Sequence, residues 1–401
     1  MTPFARALGI ATALAAASAQ AVAAAPALPT FDADEQRAIL RHGPWPPPPV
    51  LDAGNAAASN AQAIALGQRL FFDAGLSRDG TLACASCHRP QWAFADRRAR
   101  GRGRVQLDRH TPSLWNAAHE RWYGWDGAAD SLWSQSIRPI LDAREMGATP
   151  AHVRQRIARD VDLACRYRAA FGTSAATDDD EPALVRAAKA IGAFVGTLQS
   201  GRTPFDDFRD ALARGDASAA RYPLPAQRGL KLFIGRGRCD LCHLGPMFSN
   251  GEFGDTGLPF FVRPGVVDPG RHGGIAALRQ SRYNLLSSWS DARADDAAAT
   301  KTRHVQPQHR HFGEFKVPSL RNVVLTAPYM HDGQLATLAD VVRHYSELNL
   351  ERLHADGEQI LQPLHLSARE SADLIAFLRT LSDPRATQWR PPALPRCDLK
   401  P

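Results

Sequence analysis

Cys84-Ala85-Ser86-Cys87-His88 and Cys239-Asp240-Leu241-Cys242-His243 are two copies of one pattern, C-x-x-C-H, and their reading decides the fold. The pattern attaches a c-type haem covalently. Two thiols one helical turn apart can each add to a vinyl group of the same porphyrin. The adjacent imidazole is then aimed at the iron from the proximal side. Simpler readings of C-x-x-C fail on this chain. Zinc needs further Cys or His at tetrahedral spacing, and Cys165 and Cys397 do not stand at one. A thioredoxin-like pair wants a βαβ context, which the sequence lacks. Two covalent c-type haems are expected, held by Cys84, Cys87 and His88 and by Cys239, Cys242 and His243.

The N-terminus reads as an export signal. Arg6 precedes an apolar, Ala-rich run from Ala7 to about Ala19, and Ala21-Val22-Ala23 is an A-x-A cleavage site. Residues 1–25 are therefore expected to be a signal peptide removed on export to a bacterial periplasm, where c-type haem is attached. The run is too short for a membrane span, and no later stretch is long and apolar enough to make one. Export also allows Cys165 and Cys397, the two cysteines outside the motifs, to be oxidised, although spacing alone does not bring them together. The formal charge of +7 falls to +6 without Arg6, and haem propionates offset much of it. That balance suits an acidic redox partner. It does not argue for nucleic acid, since the arginines are scattered and no nucleic-acid motif occurs.

Outward from the motifs, the chain divides into two related halves. Ile64 to Phe72 has helical periodicity ahead of the first motif, and Gln227 to Phe233 repeats it ahead of the second. In both, a glycine precedes a phenylalanine by four residues (Gly67/Phe71 and Gly229/Phe233), so both lie on one helix face where a second helix can approach closely. This resembles the N-terminal helix of cytochrome c domains, which crosses a C-terminal helix. Its partners are expected at Pro182 to about Leu198 and after the capping box Ser367-Ala368-Arg369-Glu370. The fold expected is mainly α, with two cytochrome c-like haem domains, long loops and little β structure. The domains are placed at residues 26–200 and 201–386, followed by a tail at 387–401. Pro46–Pro49 reads as a stiff connector. Asp291–Thr302, polar and Ala-rich, reads as a mobile surface insertion.

Further blocks resemble a known family. Arg109-His110-Thr111-Pro112-Ser113-Leu114-Trp115-Asn116, Trp125-Asp126-Gly127, Gln135 through Gly147, Val317 through Asn322 and Tyr329 through Gly333 are similar to those of the bacterial di-haem cytochrome c peroxidases and MauG. The resemblance covers roughly residues 60 to 385. It implies that hydrogen peroxide reacts at the N-terminal haem, with Glu145 moving a proton from the near to the far oxygen, Gln135 positioning the peroxide and Pro139 packing over the open face. Some members close that iron with a distal His between the first motif and the R-N-x-P block. Residues 89–109 contain no His here, so an open iron needing no reductive activation is expected, on the MauG-like branch.

The resemblance further implies a closed, six-coordinate second haem. Tyr345 stands at the position of the distal ligand, with Met330, His331 and His344 as rivals. A thioether ligand raises the iron potential, whereas a phenolate stabilises higher oxidation states. Trp125 would lie between the haems and relay electrons. A calcium ion would be held by the carbonyls of Thr326 and Pro328. His110 replaces the Asn expected there, and imidazole is a poor ligand for a hard cation.

The function expected is a periplasmic peroxidase that stores or relays oxidising equivalents through its second haem. Its electrons would come from a small cytochrome or cupredoxin, or from Trp or Tyr of a partner protein. His110 and Tyr345 favour the second source, while Arg236-Gly237-Arg238 offers no aromatic relay on that surface. The alternative is a non-enzymatic di-haem electron carrier, since C-x-x-C-H names only a cofactor. The Gln135/Glu145 pocket separates the two, because a carrier needs no distal acid.

Overall fold

The computed structural model describes residues 31–397 except Leu51, Phe260, Ala294, Glu358 and Gln359, so the expected signal peptide lies outside the described residues. The helices of the first half are α1 (Ala33–Leu40), α2 (Ala61–Phe71), α3 (Cys84–Cys87), α4 (Leu132–Leu141), α5 (Pro150–Arg159), α6 (Val161–Phe171) and α7 (Asp180–Gly196). Those of the second are α8 (Pro204–Ala213), α9 (Leu224–Ile234), α10 (Gly270–Gln280), α11 (Ala297–His304), α12 (Leu338–Ser346) and α13 (Ala368–Arg379). Four short strands make two antiparallel ribbons. β1 (Phe253–Gly254) pairs with β4 (Phe315–Lys316), and β2 (Phe261–Arg263) pairs with β3 (Val266–Val267). The mainly helical fold with little β structure is as the sequence implies. No helix among the described residues is long and apolar enough to cross a membrane.

Two helix crossings organise the molecule. α2 packs on α7 and α9 on α13. A Cβ on Gly67 would stand 1.9 Å from the Ala190 carbonyl oxygen, and one on Gly229 would stand 2.0 Å from that of Asp373. Only glycine fits either contact. One turn on, Phe71 and Phe233 are fully buried in the two separate cores these crossings create. The helix ends are fixed by side chains. Asn60 caps α2, and the Ser367/Glu370 capping box read from the sequence starts α13.

Both chain ends cross over. Ile39 of α1 is buried with Phe205 and Phe208 in the second core, and Arg209 donates to the Leu40 carbonyl at 2.9 Å. The other end returns to the first core, where Ala386 and Trp389 pack. Gln68 Nε2 donates to the Pro392 carbonyl at 2.7 Å, Arg166 donates to that of Pro395 at 2.7 Å, and Cys165 is disulfide-bonded to Cys397. The expected boundaries at 26–200 and 201–386 thus differ from the packing at both ends. Hydrophobic periodicity marks a buried face without saying which core receives it.

The expected mobile insertion at Asp291–Thr302 is corrected as well. Its second part forms α11, capped by Asp296. Thr302 Oγ1 donates to Asp130 Oδ2 at 2.7 Å, and Lys301 donates to the carbonyls of Arg121 and Asp130. Lys301 and Thr302 thus serve buried hydrogen bonds, while Asp291, Arg293, Asp295 and Thr300 remain exposed.

Candidate functional site

Each C-x-x-C-H motif folds as one tight turn, α3 in the first half and a 3-10 turn at Cys239–Leu241 in the second. His88 Nδ1 lies 3.0 Å from the Phe94 carbonyl oxygen, and His243 Nδ1 lies 2.9 Å from that of Phe248. With Nδ1–H donated to a carbonyl, Nε2 carries the lone pair, as a metal-ligating imidazole requires. Burial lowers the pKa of both rings and keeps them neutral. Phe94 and Phe248 themselves have left-handed backbones, with φ of 57° and 50°. The donor sets fit two proximally ligated haems.

Beyond the motifs, the halves match residue for residue in one constant register. Ser113 Oγ donates to the Ala93 carbonyl, and Ser319 Oγ to that of Met247. Asn116 and Asn322 are both left-handed, and their N–H groups donate to Leu198 and Leu381. Tyr123 bridges to Ala129, and Tyr329 to Leu335. Ser131 caps α4, and Thr337 caps α12. The halves also clasp reciprocally. The His110 N–H donates to the His331 carbonyl at 2.7 Å, while the Lys316 N–H donates to that of Trp125 at 2.8 Å.

Carried along the two capped helices, this register sets Pro139 of α4 opposite Tyr345 of α12. Pro139 has no atom to offer a metal. Tyr345 has a phenol oxygen. The same step sets Gln135 opposite Val341. The repeat therefore carries its chemical asymmetry on equivalent faces of equivalent helices.

In the first half, Glu145 follows α4 in the turn that returns the Met146 N–H to the Pro139 carbonyl. Burial, reinforced by Asp142, raises its pKa to about 7 against the opposing pull of Arg138 and Arg144. Its charge is felt at the thiols of both Cys84 and Cys87, which puts it beside the first motif. Gln135 Oε1 is buried with no hydrogen-bond partner among the described residues. An orphaned amide oxygen and a carboxyl held near neutrality are suited to binding and deprotonating a small protic oxidant.

In the second half, Cys239, Cys242 and His243 line a cavity of about 970 Å³, within the range of cofactor sites. Tyr345, Met330 and His331 also line it. Burial raises the Tyr345 phenol well above its usual range, so a phenolate there needs a compensating positive charge such as a ferric iron. His331 stacks on Phe315 with ring centroids 3.5 Å apart, and burial lowers its pKa to about 4. His344 does not line this cavity among the described residues, and its Nε2 lies 2.7 Å from the carbonyl oxygen of Thr256, which does.

Trp125 joins the two sites. Its side lines the second cavity, while its Nε1 donates at 2.8 Å to the carbonyl of His110, whose ring lies within electrostatic reach of His88. Arg109 holds this junction through Asp126 at 2.7 Å and a bidentate bond to Asp268. The His110 ring is buried and its Nε2 lacks a partner among the described residues. Pro328 closes the cis Ala327–Pro328 bond and Thr326 precedes it, both close in sequence to the Tyr329 bridge. They bring no carboxylate to a calcium ion.

Two residues escaped the sequence reading. Arg271 is buried between the rings of Trp122 and Phe253, donates to the Asp126 and Gly127 carbonyls and lines the second cavity. His42 stacks on Phe248 at 4.5 Å, behind the carbonyl that orients His243, and its Nε2 is buried without a partner among the described residues. Neither stands in a motif. A lone Arg or His gives no signal until the contact is visible.

A family model described as di-haem cytochrome c peroxidase matches residues 61–214. The chain is 34% identical to "Methylamine utilization protein MauG" of Methylorubrum extorquens over 88% of this chain and 87% of that one. It is 33% identical to "Cytochrome-c peroxidase IdrP2" of Pseudomonas sp. over 86% of each. A crystal structure of a MauG-like protein associated with microbial copper homeostasis superposes with a TM-score of 0.64 at 28% identity, covering 89% of this chain and 99% of that one.

Proposed function

The chain belongs to the di-haem cytochrome c peroxidase family, oxidoreductases that act on peroxide, and from that premise we propose a periplasmic, MauG-like enzyme whose first site takes hydrogen peroxide and whose second stores oxidising equivalents. When held by Cys84, Cys87 and His88, a haem supplies the redox-active iron at which an O–O bond is cleaved. The side chains do the rest. Glu145, with a pKa of about 7, is a base in a large fraction of molecules at neutral pH. It accepts the proton of the near peroxide oxygen and returns it to the far one, which leaves as water. Gln135 Oε1 accepts a hydrogen bond from the peroxide and fixes its direction. Pro139 supplies no ligand, so the face stays open.

In the second site Cys239, Cys242 and His243 would hold a haem, and the Tyr345 phenol, which lines the same cavity, would offer it an oxygen ligand once its proton is lost. Trp125 carries electrons between the two. Electrons are restored by a small cytochrome or cupredoxin, or by Trp or Tyr of a partner protein. Any calcium would rest on the Thr326 and Pro328 carbonyls, with water at the place His110 denies it.

The observation that carries this reading is the pairing of Pro139 with Tyr345 at matched positions of a repeated helix, with Gln135 matched by Val341, and with Glu145 held beside the first motif while its counterpart in the register, Glu351, is exposed in the turn Leu350–Arg352. Electron paramagnetic resonance of the ferric holoprotein tests it. One high-spin and one low-spin centre are expected, and Tyr345→Phe turns the second high-spin while leaving the first unchanged. Two low-spin centres inert to peroxide would reduce the protein to an electron carrier.

A further inference from the structure

At the rim of the second cavity, two loops bring together three metal-ligating side chains outside both haem sites. His309 lies in the 3-10 turn His309–His311, and His354 and Asp356 lie just beyond a second turn, Leu350–Arg352. One ligand atom from each falls within 4.8 Å of the others, the only such group of three His, Cys, Asp or Glu among the described residues. His309 Nδ1 is 2.7 Å from Asp356 Oδ2, and the two imidazoles meet at 4.8 Å and 70°. The Asp356 N–H donates to His354 Nδ1 at 3.2 Å, a bond within the loop that keeps this ring beside the carboxylate.

Burial does not explain the cluster. The side chains of His309 and Asp356 are 73% and 62% exposed, so no apolar gain holds them in register. An exposed ion pair is worth little by itself. Two imidazoles and one carboxylate with open positions suit a divalent first-row ion, completed by water. Oxygen-seeking cations such as calcium prefer a different set. The neighbours of the ligands give the cluster a consequence. Arg310 and His311 line the cavity from one loop, and Gly357, Ile360 and Leu361 from the other.

We propose that His309, His354 and Asp356 form a surface site for Cu²⁺ or Zn²⁺ that cross-links the two loops at the mouth of the second cavity. Copper binds the more tightly, since affinity for a given nitrogen and oxygen set peaks there in the divalent series. The site is independent of the peroxide chemistry.

The test uses holoprotein without a polyhistidine tag, titrated with CuSO₄ and followed by the copper resonance near g = 2. Saturation at one Cu²⁺ per chain with nitrogen hyperfine structure is expected, and ZnCl₂ competes for the same equivalent. His309→Ala and His354→Ala each weaken binding at least about tenfold, a loss typical even of outer-shell partners. His304→Ala, exposed at the end of α11 and outside the cluster, leaves binding unchanged. Absence of saturable binding, or binding in both variants as tight as in wild type, overturns the site. Zn²⁺ is also expected to slow tryptic cleavage after Arg352 in wild type but not in His354→Ala. An unaltered rate overturns the cross-link.

Discussion

Replacing Glu145 by Gln should make the protein less active and more stable, and the size of the second effect follows from the burial of the carboxyl. Its pKa rises from an ordinary 4.5 to about 7 in the fold. A raised carboxyl favours the fold while protonated, so that contribution is intact below about pH 4.5 and lost as pH rises through 7. The ionisation penalty, at 1.36 kcal/mol per pKa unit, comes to about 3 kcal/mol above pH 8. Gln cannot ionise and escapes it. Urea unfolding of wild-type and Glu145→Gln holoprotein should coincide near pH 4 and diverge to about 3 kcal/mol in favour of the variant by pH 8. Peroxide turnover should move the other way. In wild type it rises about tenfold between pH 6 and pH 8 as the base ionises, whereas in the variant it is slower by about 10²–10⁴ and flat. Equal stability at every pH, or an unchanged pH–rate profile, would refute the assignment of a buried, titrating base.

Gly67→Ala and Gly229→Ala press a methyl group into a backbone carbonyl and should cost about 3 kcal/mol or prevent folding, read as lost holoprotein yield and a lower Tm. Cys165→Ser, which opens the bond to Cys397, should lower stability by about 2–4 kcal/mol in non-reducing urea titrations and leave the spectra of both haems unchanged. Asp130→Ala strips partners from the Leu285 N–H and the Thr302 hydroxyl and should cost about 2–4 kcal/mol, with faster hydrogen exchange across α11.

The parts of this molecule written in local sequence were legible. C-x-x-C-H points to haem, the cofactor that membership of a di-haem family implies, and Gly67 and Gly229 announced close helix crossings because their phenylalanines recur at the same offset. The Ser367 capping box lies within one turn, so it too is complete in the sequence. The parts that depend on distant partners were not. Asp130 meets Lys301 across 171 residues, and nothing in the alanines around Lys301 signals a buried acceptor. The destination of α1 depends on Phe205 and Phe208, and the partner of Cys165 depends on where the tail lies down. The place of His344 off the cavity lining among the described residues needed the position of the Thr256 carbonyl, and the matching of Pro139 to Tyr345 needed two capped helices to be aligned in space.

The crossed ends of the chain have a consequence for how the enzyme is made. The Leu40 carbonyl is finished early in synthesis, yet the arginine that grips it follows 169 residues later. The segment through Trp389, Pro392 and Pro395 lies over surfaces contributed by residues far earlier in the sequence. Each half includes in its core a segment that lies beside the other half in sequence, Ile39 in the second core and Ala386 in the first. Each core is therefore complete only when segments 169 to 324 residues apart in sequence have met, which ties the two halves to one another through both crossed segments.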